Sequence, residues 1–316
     1  MIRCIFTALL MSNRISILII TYNRPADLLE LLINLSGQTG IGDVLEEILI
    51  LNNASTESYC AVADYVKNTP LLRAKYIVSS ENLGVARGRN KLMQEAHGNL
   101  ILSLDDDMVF TKQNDITTLS KLFDEPFFSS KNTGIITFRV IYYETREVQI
   151  TAFPHKMYEK YKSLHQFHTA YFAGGAHIMK REVIKQTGLY PEDFHYGMEE
   201  YDLSYRALNA GYTIAYDDKV TVAHKESPLG RQPGHKKLQM QWINKSKVAW
   251  RYLPFRYFVS TAVAWAIQYI KTAKGHPGTF LSALGQIILI PFSNKRSVVS
   301  NKTISYLKEV EARLKY

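Results

Sequence analysis

The sequence predicts an α/β fold in which a mostly parallel central sheet is flanked by helices and followed by a helical C-terminal extension. Three observations carry this prediction. Apolar runs alternate with helical patterns four times within about the first hundred residues, which is typical of a parallel sheet. Each apolar run is followed directly by polar residues, and after residue 230 the composition becomes basic and aromatic.

Four apolar runs are predicted as strands of a parallel sheet, and the last of them as a buried central strand, because a fully covered strand shows continuous hydrophobicity rather than alternation. They lie at residues 15–20, 48–51, 76–78 and 100–104. Pro25 is placed to open the helix after the first strand, and Ser55 is the predicted N-cap of the helix after the second. Gly98 ends the helix that begins within residues 82–90. The polar residues after the strands should gather along one edge of the sheet and build a single pocket.

The run at residues 100–110 is the centre of the predicted site. Its apolar residues are interrupted by Asp105, Asp106 and Asp107, at the carboxyl end of a buried strand. Neighbouring carboxylates raise one another's free energy, and hard oxygen ligands suit Mg²⁺ or Mn²⁺. We therefore predict a metal-bound phosphate here; the alternative is a solvated acidic turn.

The second half of the chain is less regular. Its predicted elements are a helix at 115–125 and strands at 134–143, 148–153, 172–179, 213–216 and 220–224. Residues 154–170 lack a period and are predicted as a long loop, which is usually functional or mobile. Gly174 and Gly175 fall inside a predicted strand and indicate that the backbone there approaches another group closely.

A second acidic cluster opens the helix predicted from residue 199. Glu199, Glu200 and Asp202 fall in its first turn, where the helix dipole favours acids, so a structural explanation stands beside a catalytic one. Arg206 lies four residues after Asp202 and is placed to pair with it. His224 ends the last predicted strand; a lone histidine is more often structural, but here it is a candidate metal ligand.

The net charge of +9 is concentrated in the C-terminal region. Residues 230–316 contain 15 Lys and Arg against two Asp and Glu, whereas the preceding 229 residues contain 23 against 27. Two explanations remain open: helices lying in the interface of an anionic membrane, or helices packed on the catalytic domain or on a second subunit of a homo-oligomer. Nucleic acid is not an expected partner, because the basic residues form no recognisable reading module.

The cysteines and the N-terminus predict a cytoplasmic protein. Cys4 and Cys60 form neither a disulfide framework nor a metal-ligand pattern, which favours a reducing compartment. The apolar run at residues 4–11 lacks a cleavage site and is too short to span a bilayer, so Met11 is the predicted start. If the tail binds lipid, the protein is peripheral on the inner face of the cytoplasmic membrane.

Five motifs follow one another along the chain. They are Thr21-Tyr22-Asn23-Arg24, Asn52-Asn53-Ala54-Ser55, Asn82-Leu83-Gly84 through Asn90, Asp105-Asp106-Asp107 and Glu199-Glu200-Tyr201-Asp202. In order and spacing they resemble the family 2 glycosyltransferases of GT-A fold, over about residues 14–226. The resemblance implies a Rossmann-like GT-A domain that transfers a sugar from a nucleotide-diphosphate donor, UDP- or dTDP-linked, with inversion at the anomeric carbon. A glycan or lipid-linked acceptor in polysaccharide or cell-envelope synthesis is the expected partner.

The resemblance also implies roles for particular residues. Asp105 and Asp107 match the DxD motif, which holds Mn²⁺ or Mg²⁺ against the diphosphate, and His224 matches a late histidine that completes the metal site in some members. Glu200 matches the general base, one methylene longer than the usual Asp, with Glu199 beside it. The residues implied in donor binding are Thr21, Tyr22, Asn23, Arg24, Asn52, Arg87, Asp105 and Asp106. Among them, Asn52 stands where the family usually has Asp.

The predicted organisation is a catalytic domain at 14–229, with a nucleotide-sugar half at 14–110 and an acceptor half at 111–229, followed by a helical tail at 230–316.

Two other functions remain open. One is a nucleotide-sugar-binding module that has lost turnover. The other is a haloacid-dehalogenase-like phosphatase, because residues 102–109 also resemble its nucleophile strand. Those phosphatases place that strand first in the core, whereas three strands precede it here.

Overall fold

The computed structural model describes residues 13–227, 234–273 and 276–314. The predicted start at Met11 and the predicted boundary at 229–230 lie outside the described residues. Within them the α/β fold is confirmed: nine strands form one sheet flanked by helices, and further helices follow it.

The sheet and its flanking helices alternate as expected in the first half of the chain. The strands are β1 (Ile15–Thr21), β2 (Leu45–Asn52), β3 (Ala74–Val78), β4 (Leu100–Asp105), β5 (Met108–Phe110), β6 (Thr133–Tyr142), β7 (Gln166–Thr169), β8 (Ala176–Lys180) and β9 (Thr213–His224). The helices beside them are α1 (Pro25–Ser36), α2 (Ile41–Val44), α3 (Cys60–Asn68), α4 (Gly84–Glu95), α5 (Asp115–Leu119), α6 (Pro126–Ser129), α7 (Tyr158–Tyr161), α8 (Arg181–Thr187) and α9 (Glu199–Asn209). Single 3₁₀ turns occur at Pro70–Leu72, Leu122–Asp124 and Ile150–Ala152.

The strand order across the sheet is β3-β2-β1-β4-β8-β6-β9-β5, with β7 also paired to β9. The first four strands are parallel, whereas β8 runs antiparallel to both of its neighbours. The chain moves outward from β1 to β3 and then returns to place β4 on the other side of β1. The strand order therefore reverses between β1 and β4, which is where open α/β sheets bind ligands.

Strands β1, β2 and β4 are largely buried on both faces, which explains their apolar sequences, whereas β3, at the edge of the sheet, is partly exposed. In β1, Ile17 and Ile19 pack in the cluster that contains Leu28 of α1. Leu18, between them, packs in the opposite cluster with Leu92 of α4. Successive side chains of a strand point to opposite faces, so every residue of β1 needs an apolar environment.

Three predicted local features are wrong. Ser55 does not cap a helix, because α3 begins only at Cys60; its hydroxyl instead accepts the backbone N–H of Asn23 at 3.0 Å. Residues 148–153 form no strand: after one bridge between Ile141 and Val148 the chain enters a 3₁₀ turn. The predicted helix at 115–125 is broken into α5 and a 3₁₀ turn.

Strand β4 ends at the aspartates, as predicted, and the apolar residues after them form β5, which pairs with β9. One further predicted strand is shorter than expected. The strand predicted at 172–179 begins only at Ala176, so Gly174 and Gly175 precede it. The predicted loop at 154–170 contains α7 and β7.

In the described residues after 233, the chain forms four helices that pack partly on the sheet domain. They are α10 (Gly234–Tyr252), α11 (Phe255–Thr272), α12 (Pro277–Ser293) and α13 (Asn301–Glu309). Helix α10 contacts the domain, where the amide of Asn244 donates to the carbonyl oxygens of Tyr196 and Gly197. Helices α11 and α12 pack on α10 around buried Trp242. In the described ranges, no helix has both the length and the apolar content that a bilayer crossing requires.

Candidate active site

The carboxyl ends of β1, β2 and β4 lie side by side where the strand order reverses. Thr21 is in register with Asn52, and Ile20 is in register with Asp105. The loops that follow these strands therefore meet at one edge of the sheet, as their polar sequences predict.

The three consecutive aspartates occupy different environments. The side chain of Asp105 is 40% exposed, whereas those of Asp106 and Asp107 are buried. The guanidinium of Arg24 spans the buried pair, with one nitrogen 2.8 Å from Oδ1 of Asp106 and the other 2.8 Å from Oδ2 of Asp107. Burial raises the pKa of Asp106 to about 8, and Arg24 opposes that rise. Arg24 thus holds the turn between β4 and β5 and offsets its buried charge.

Asp105, Asp107 and His224 form a candidate metal site. Their ligand atoms all lie within 4.8 Å of one another. Nε2 of His224 is 3.3 Å from Oδ1 of Asp107, and its Nδ1 is 2.8 Å from Oε1 of Gln149. The amide nitrogen of Gln149 donates to Glu226, so the amide oxygen must face His224. Nδ1 of the neutral imidazole therefore carries the proton, and Nε2 is left with a lone pair directed toward the carboxylates.

The donor set fits a hard or borderline divalent cation. Two carboxylates and one neutral imidazole suit Mn²⁺, and the carboxylates also suit Mg²⁺. Burial lowers the pKa of His224, but Asp107 raises it more, so that the net pKa lies above the usual value. The imidazole is thus placed where positive charge is already favoured.

Arg89 joins this site to the acidic start of α9. One guanidinium nitrogen lies 3.3 Å from Oδ1 of Asp105, and another lies 3.3 Å from Glu199 and 3.2 Å from Glu200. Burial lowers the pKa of Arg89, but the surrounding carboxylates raise it more, so that the guanidinium stays charged. The two acidic clusters predicted from the sequence therefore lie together around one buried arginine.

The two glutamates differ in accessibility. The side chain of Glu199 is 2% exposed and that of Glu200 is 17% exposed. Burial raises the pKa of Glu199, and the neighbouring charge of Glu200 raises it further. Glu200 is therefore the member of the pair that can meet a substrate.

Gly174 and Gly175 lie directly between the acidic groups. A Cβ atom at Gly174 would overlap Oε1 of Glu200, and one at Gly175 would overlap the carboxylate of Asp105. The backbone N–H of Asp105 donates to the carbonyl oxygen of Gly175 at 3.2 Å. The close backbone approach predicted for this glycine pair is thus observed, and its partners are the two carboxylates of the site.

Asp202, also in the first turn of α9, faces away from these groups. Its carboxylate contacts Arg206 at 2.8 Å, as predicted, and also Arg251 at 3.2 Å and the hydroxyl of Tyr252 at 3.0 Å. This acid joins α9 to α10 and is fully occupied by structural contacts.

The predicted nucleoside residues connect the loops at the β1 and β2 ends. Oδ1 of Asn23 accepts the backbone N–H of Thr56 at 2.8 Å. The amide of Asn52 donates to the hydroxyl of Tyr76 at 2.7 Å and accepts the N–H of Ser55 at 2.9 Å. Both asparagines therefore join the loops that follow β1 and β2 through contacts within the protein.

The three other predicted donor residues of this region differ in their surroundings. The hydroxyl of buried Thr21 is 2.7 Å from that of Tyr59, and Tyr22 is half-buried. Arg87, by contrast, turns toward solvent, where its side chain is 40% exposed and lies 3.7 Å from Glu81. The structure therefore does not bring Arg87 to the acidic groups. Arg89, two residues further along α4, reaches them instead.

Arg89 and Gln149 are the residues that the sequence reasoning missed. Arg89 lies in the same motif as Arg87, and only the structure separates them, because Arg89 is buried in α4 and Arg87 is not. Gln149 lies in a segment wrongly predicted as a strand, and no local pattern relates it to His224.

Comparison with known proteins identifies relatives of this chain. The sequence model described as Glycosyl transferase family 2 matches residues 16–188. An uncharacterised protein of Haemophilus influenzae is 29% identical over 179 residues, which cover 57% of this chain and 94% of that protein. The uncharacterised glycosyltransferase YwdF of Bacillus subtilis is 34% identical over 125 residues, which cover 40% of this chain and 44% of that protein.

Solved structures share the fold. Residues 1–349 of TarS from S. aureus superpose with a TM-score of 0.59 at 15% identity, covering 88% of this chain and 80% of that one. The mannosyltransferase PcManGT of Pyrobaculum calidifontis, solved with GDP-Man and Mn²⁺, gives a TM-score of 0.55 at 18% identity and covers 94% and 79%. At these identities the likeness concerns the fold, which is that of GT-A glycosyltransferases.

Proposed function

This chain belongs to glycosyl transferase family 2, and we propose that it is a metal-dependent, inverting enzyme that moves a sugar from a nucleotide-diphosphate donor to a hydroxyl group. The acceptor is a glycan or a lipid-linked sugar. One observation carries the proposal: the guanidinium of Arg89 contacts both Asp105 and Glu200, so a group for the departing diphosphate and a group for the incoming hydroxyl lie together.

The donor would bind with its diphosphate at the β4–β5 turn. Asp105, Asp107 and His224 would hold a Mn²⁺ or Mg²⁺ ion there, which supplies positive charge to stabilise the departing diphosphate. Gln149 keeps His224 in the tautomer that this requires. Arg24 keeps Asp107 in place from the other side, and these contacts pre-organise the site before the donor arrives.

Glu200 is the proposed general base. The acceptor oxygen attacks the anomeric carbon, the bond from that carbon to the diphosphate oxygen breaks, and the acceptor proton passes to the carboxylate of Glu200. The product is a glycoside of inverted configuration and a free nucleoside diphosphate. A positioned carboxylate typically contributes about 10²–10⁴-fold to such a step. Its contact with Arg89 holds the carboxylate in place, because the buried guanidinium is itself fixed by Asp105 and Glu199.

The expected donor is UDP- or dTDP-linked. Two of the solved structures of similar fold carry UDP-GlcNAc and GDP-Man. These neighbours support a nucleotide-sugar donor and define the panel that must be tried.

The test is a donor panel of UDP-, dTDP- and GDP-sugars with the full chain and Mn²⁺. A ligand that binds the folded state raises the melting temperature, so the correct donor is expected to do so only with the metal present. Slow release of nucleoside diphosphate then indicates a transferase. Phosphate release from monoesters would instead indicate a phosphatase. Binding without any release would indicate a silent binding module.

A further inference from the structure

Helices α11 and α12 expose large apolar side chains along one side. Of the fifteen exposed large apolar residues in the described part of the chain, ten lie between residues 255 and 298. Their spacing of mostly three or four residues gives each helix one apolar stripe. We call these two stripes the outer face: Phe255, Val259, Val263, Ile267 and Ile270 on α11, and Leu281, Ile288, Leu289 and Phe292 on α12.

Apart from Phe255, whose ring contacts that of Trp250 on α10, both stripes lie on the side away from α10. The opposite sides of the two helices carry the buried residues Phe258 and Tyr269 of α11 and Ala283, Ile287 and Ile290 of α12. These residues pack in one cluster with α10. The outer face therefore takes no part in the core that the three helices form. Its most exposed side chain is that of Phe292, at 84%.

The segment of chain that carries the outer face has charges of one sign. Residues 227–308 contain 13 Lys and Arg and no Asp or Glu. Within α11 the charged residues Arg256 and Lys271 lie near the two ends, and α12 contains no charged residue. Lys295 and Arg296 follow α12 directly, and all four cations are exposed. An apolar face bordered by cations is complementary to a partner that offers an apolar region next to anionic groups.

We propose that the outer face docks this protein in the plane of an anionic lipid bilayer. The apolar stripes would enter the boundary between headgroups and acyl chains, and the bordering Lys and Arg would contact anionic headgroups. A second copy of the chain is the less favoured occupant, because it would bring two strongly basic surfaces together. The inference does not depend on the proposed sugar transfer, and its test uses no donor.

The first experiment measures sedimentation of the full chain with vesicles. Vesicles of phosphatidylcholine alone are compared with vesicles of phosphatidylcholine mixed with phosphatidylglycerol. We expect at least about tenfold stronger partitioning onto the mixed vesicles, falling as salt is added. Protein that stays in the supernatant with both vesicles at low salt would overturn the proposal.

Variants then separate the contributions of apolar and charged side chains to vesicle binding. Val263→Asp and Phe292→Asp should each weaken binding by at least about tenfold, since each puts a charge in place of an exposed apolar group that would enter the bilayer. Lys271→Ala should weaken binding to the anionic vesicles about fivefold. Ile33→Asp is the matched control, because Ile33 is 51% exposed on α1, outside the outer face. Equal loss in this control, or none in Val263→Asp, would contradict the assignment.

A fluorescent probe identifies which surface meets the lipid. An environment-sensitive dye is attached at Val263→Cys in a chain that also carries Cys4→Ser and Cys60→Ser. The comparison chain keeps exposed Cys60 and carries only Cys4→Ser. We expect anionic vesicles to shift the emission of the first dye to shorter wavelength and to leave the second unchanged. If the unchanged protein forms dimers and binds no lipid, and Val263→Asp abolishes the dimer, the outer face binds a second copy of the chain. That result would refute the proposal of membrane docking.

Discussion

The amide oxygen of Gln149 lies 2.8 Å from Nδ1 of His224. This contact selects the imidazole tautomer whose Nε2 can bind a metal. Loss of such a hydrogen bond to a metal-binding histidine typically lowers metal affinity about 10- to 100-fold. We therefore expect Gln149→Ala to weaken Mn²⁺ binding by that factor, measured by calorimetric titration. Gln166→Ala is the control, because Gln166 contacts Asp217, in the middle of β9. Equal Mn²⁺ affinity in the two variants would show that the tautomer is set by other means.

Asp107 should be indispensable for metal-dependent donor binding. Its carboxylate faces His224 and Arg24 together, and the amide of Asp107→Asn removes the negative charge that both contacts need. We expect the Mn²⁺-dependent rise in melting temperature with the donor to disappear. Asp64→Asn, on the exposed surface of α3, controls for the loss of one charge. Tight metal-dependent donor binding by a folded Asp107→Asn protein would refute the assignment.

Replacement of Glu200 should separate binding from chemistry. Glu200→Gln keeps the size of the side chain but cannot accept the acceptor proton. We expect donor binding to persist while kcat falls by about 10²–10⁴-fold. Because Asp202 is occupied by Arg206 and Arg251, unchanged transfer would place the base at Glu199.

The two glycines of the site should give opposite kinetic defects. The methyl group of Gly174→Ala would displace Glu200, so kcat is expected to fall while donor binding is kept. The methyl group of Gly175→Ala would displace Asp105, so donor and metal affinity are expected to fall. Gly285→Ala, which meets no atom within 4 Å, is the control. The same defect in both site variants would argue against separate roles.

His177 should make the protein sensitive to acid. Burial, followed by the charge of Arg89, lowers the pKa of His177 to about 3. Below about pH 6.5 the unfolded chain therefore takes up a proton that the folded chain does not, and stability falls as the pH drops. At pH 4 this loss is about 3 kcal/mol in free energy of unfolding, since each pKa unit corresponds to about 1.4 kcal/mol.

The check is urea unfolding between pH 7 and pH 4. We expect His177→Gln, which keeps a donor for the carbonyl oxygen of Ala173, to lose less stability over this range than the unchanged protein. His276→Gln, at an exposed position, should behave like the unchanged protein. If the free energy of unfolding falls equally with pH in all three proteins, His177 does not titrate as described.

The alternation of strands and helices, and the gathering of polar residues at one edge of the sheet, could be predicted because their signals are local. Residues 15–20 and 100–104 are apolar throughout, and the polar residues that follow them are adjacent in sequence. Predictions failed where a local pattern competed with tertiary contacts. Ser55 has the chemistry of a helix cap, but Asn23, from another loop, takes its hydroxyl.

The sequence alone determined the α/β alternation, the acidic strand end, the acidic helix start and the basic tail, because composition and periodicity act over a few residues. Only the tertiary structure decided that Arg89 and not Arg87 joins Asp105 to Glu200, residues up to 111 positions apart. It also decided which sides of α11 and α12 stay exposed. Side chains so distant meet only after the sheet has formed and each helix has buried one face, and the contacts of that packing are not encoded in any single stretch of the chain.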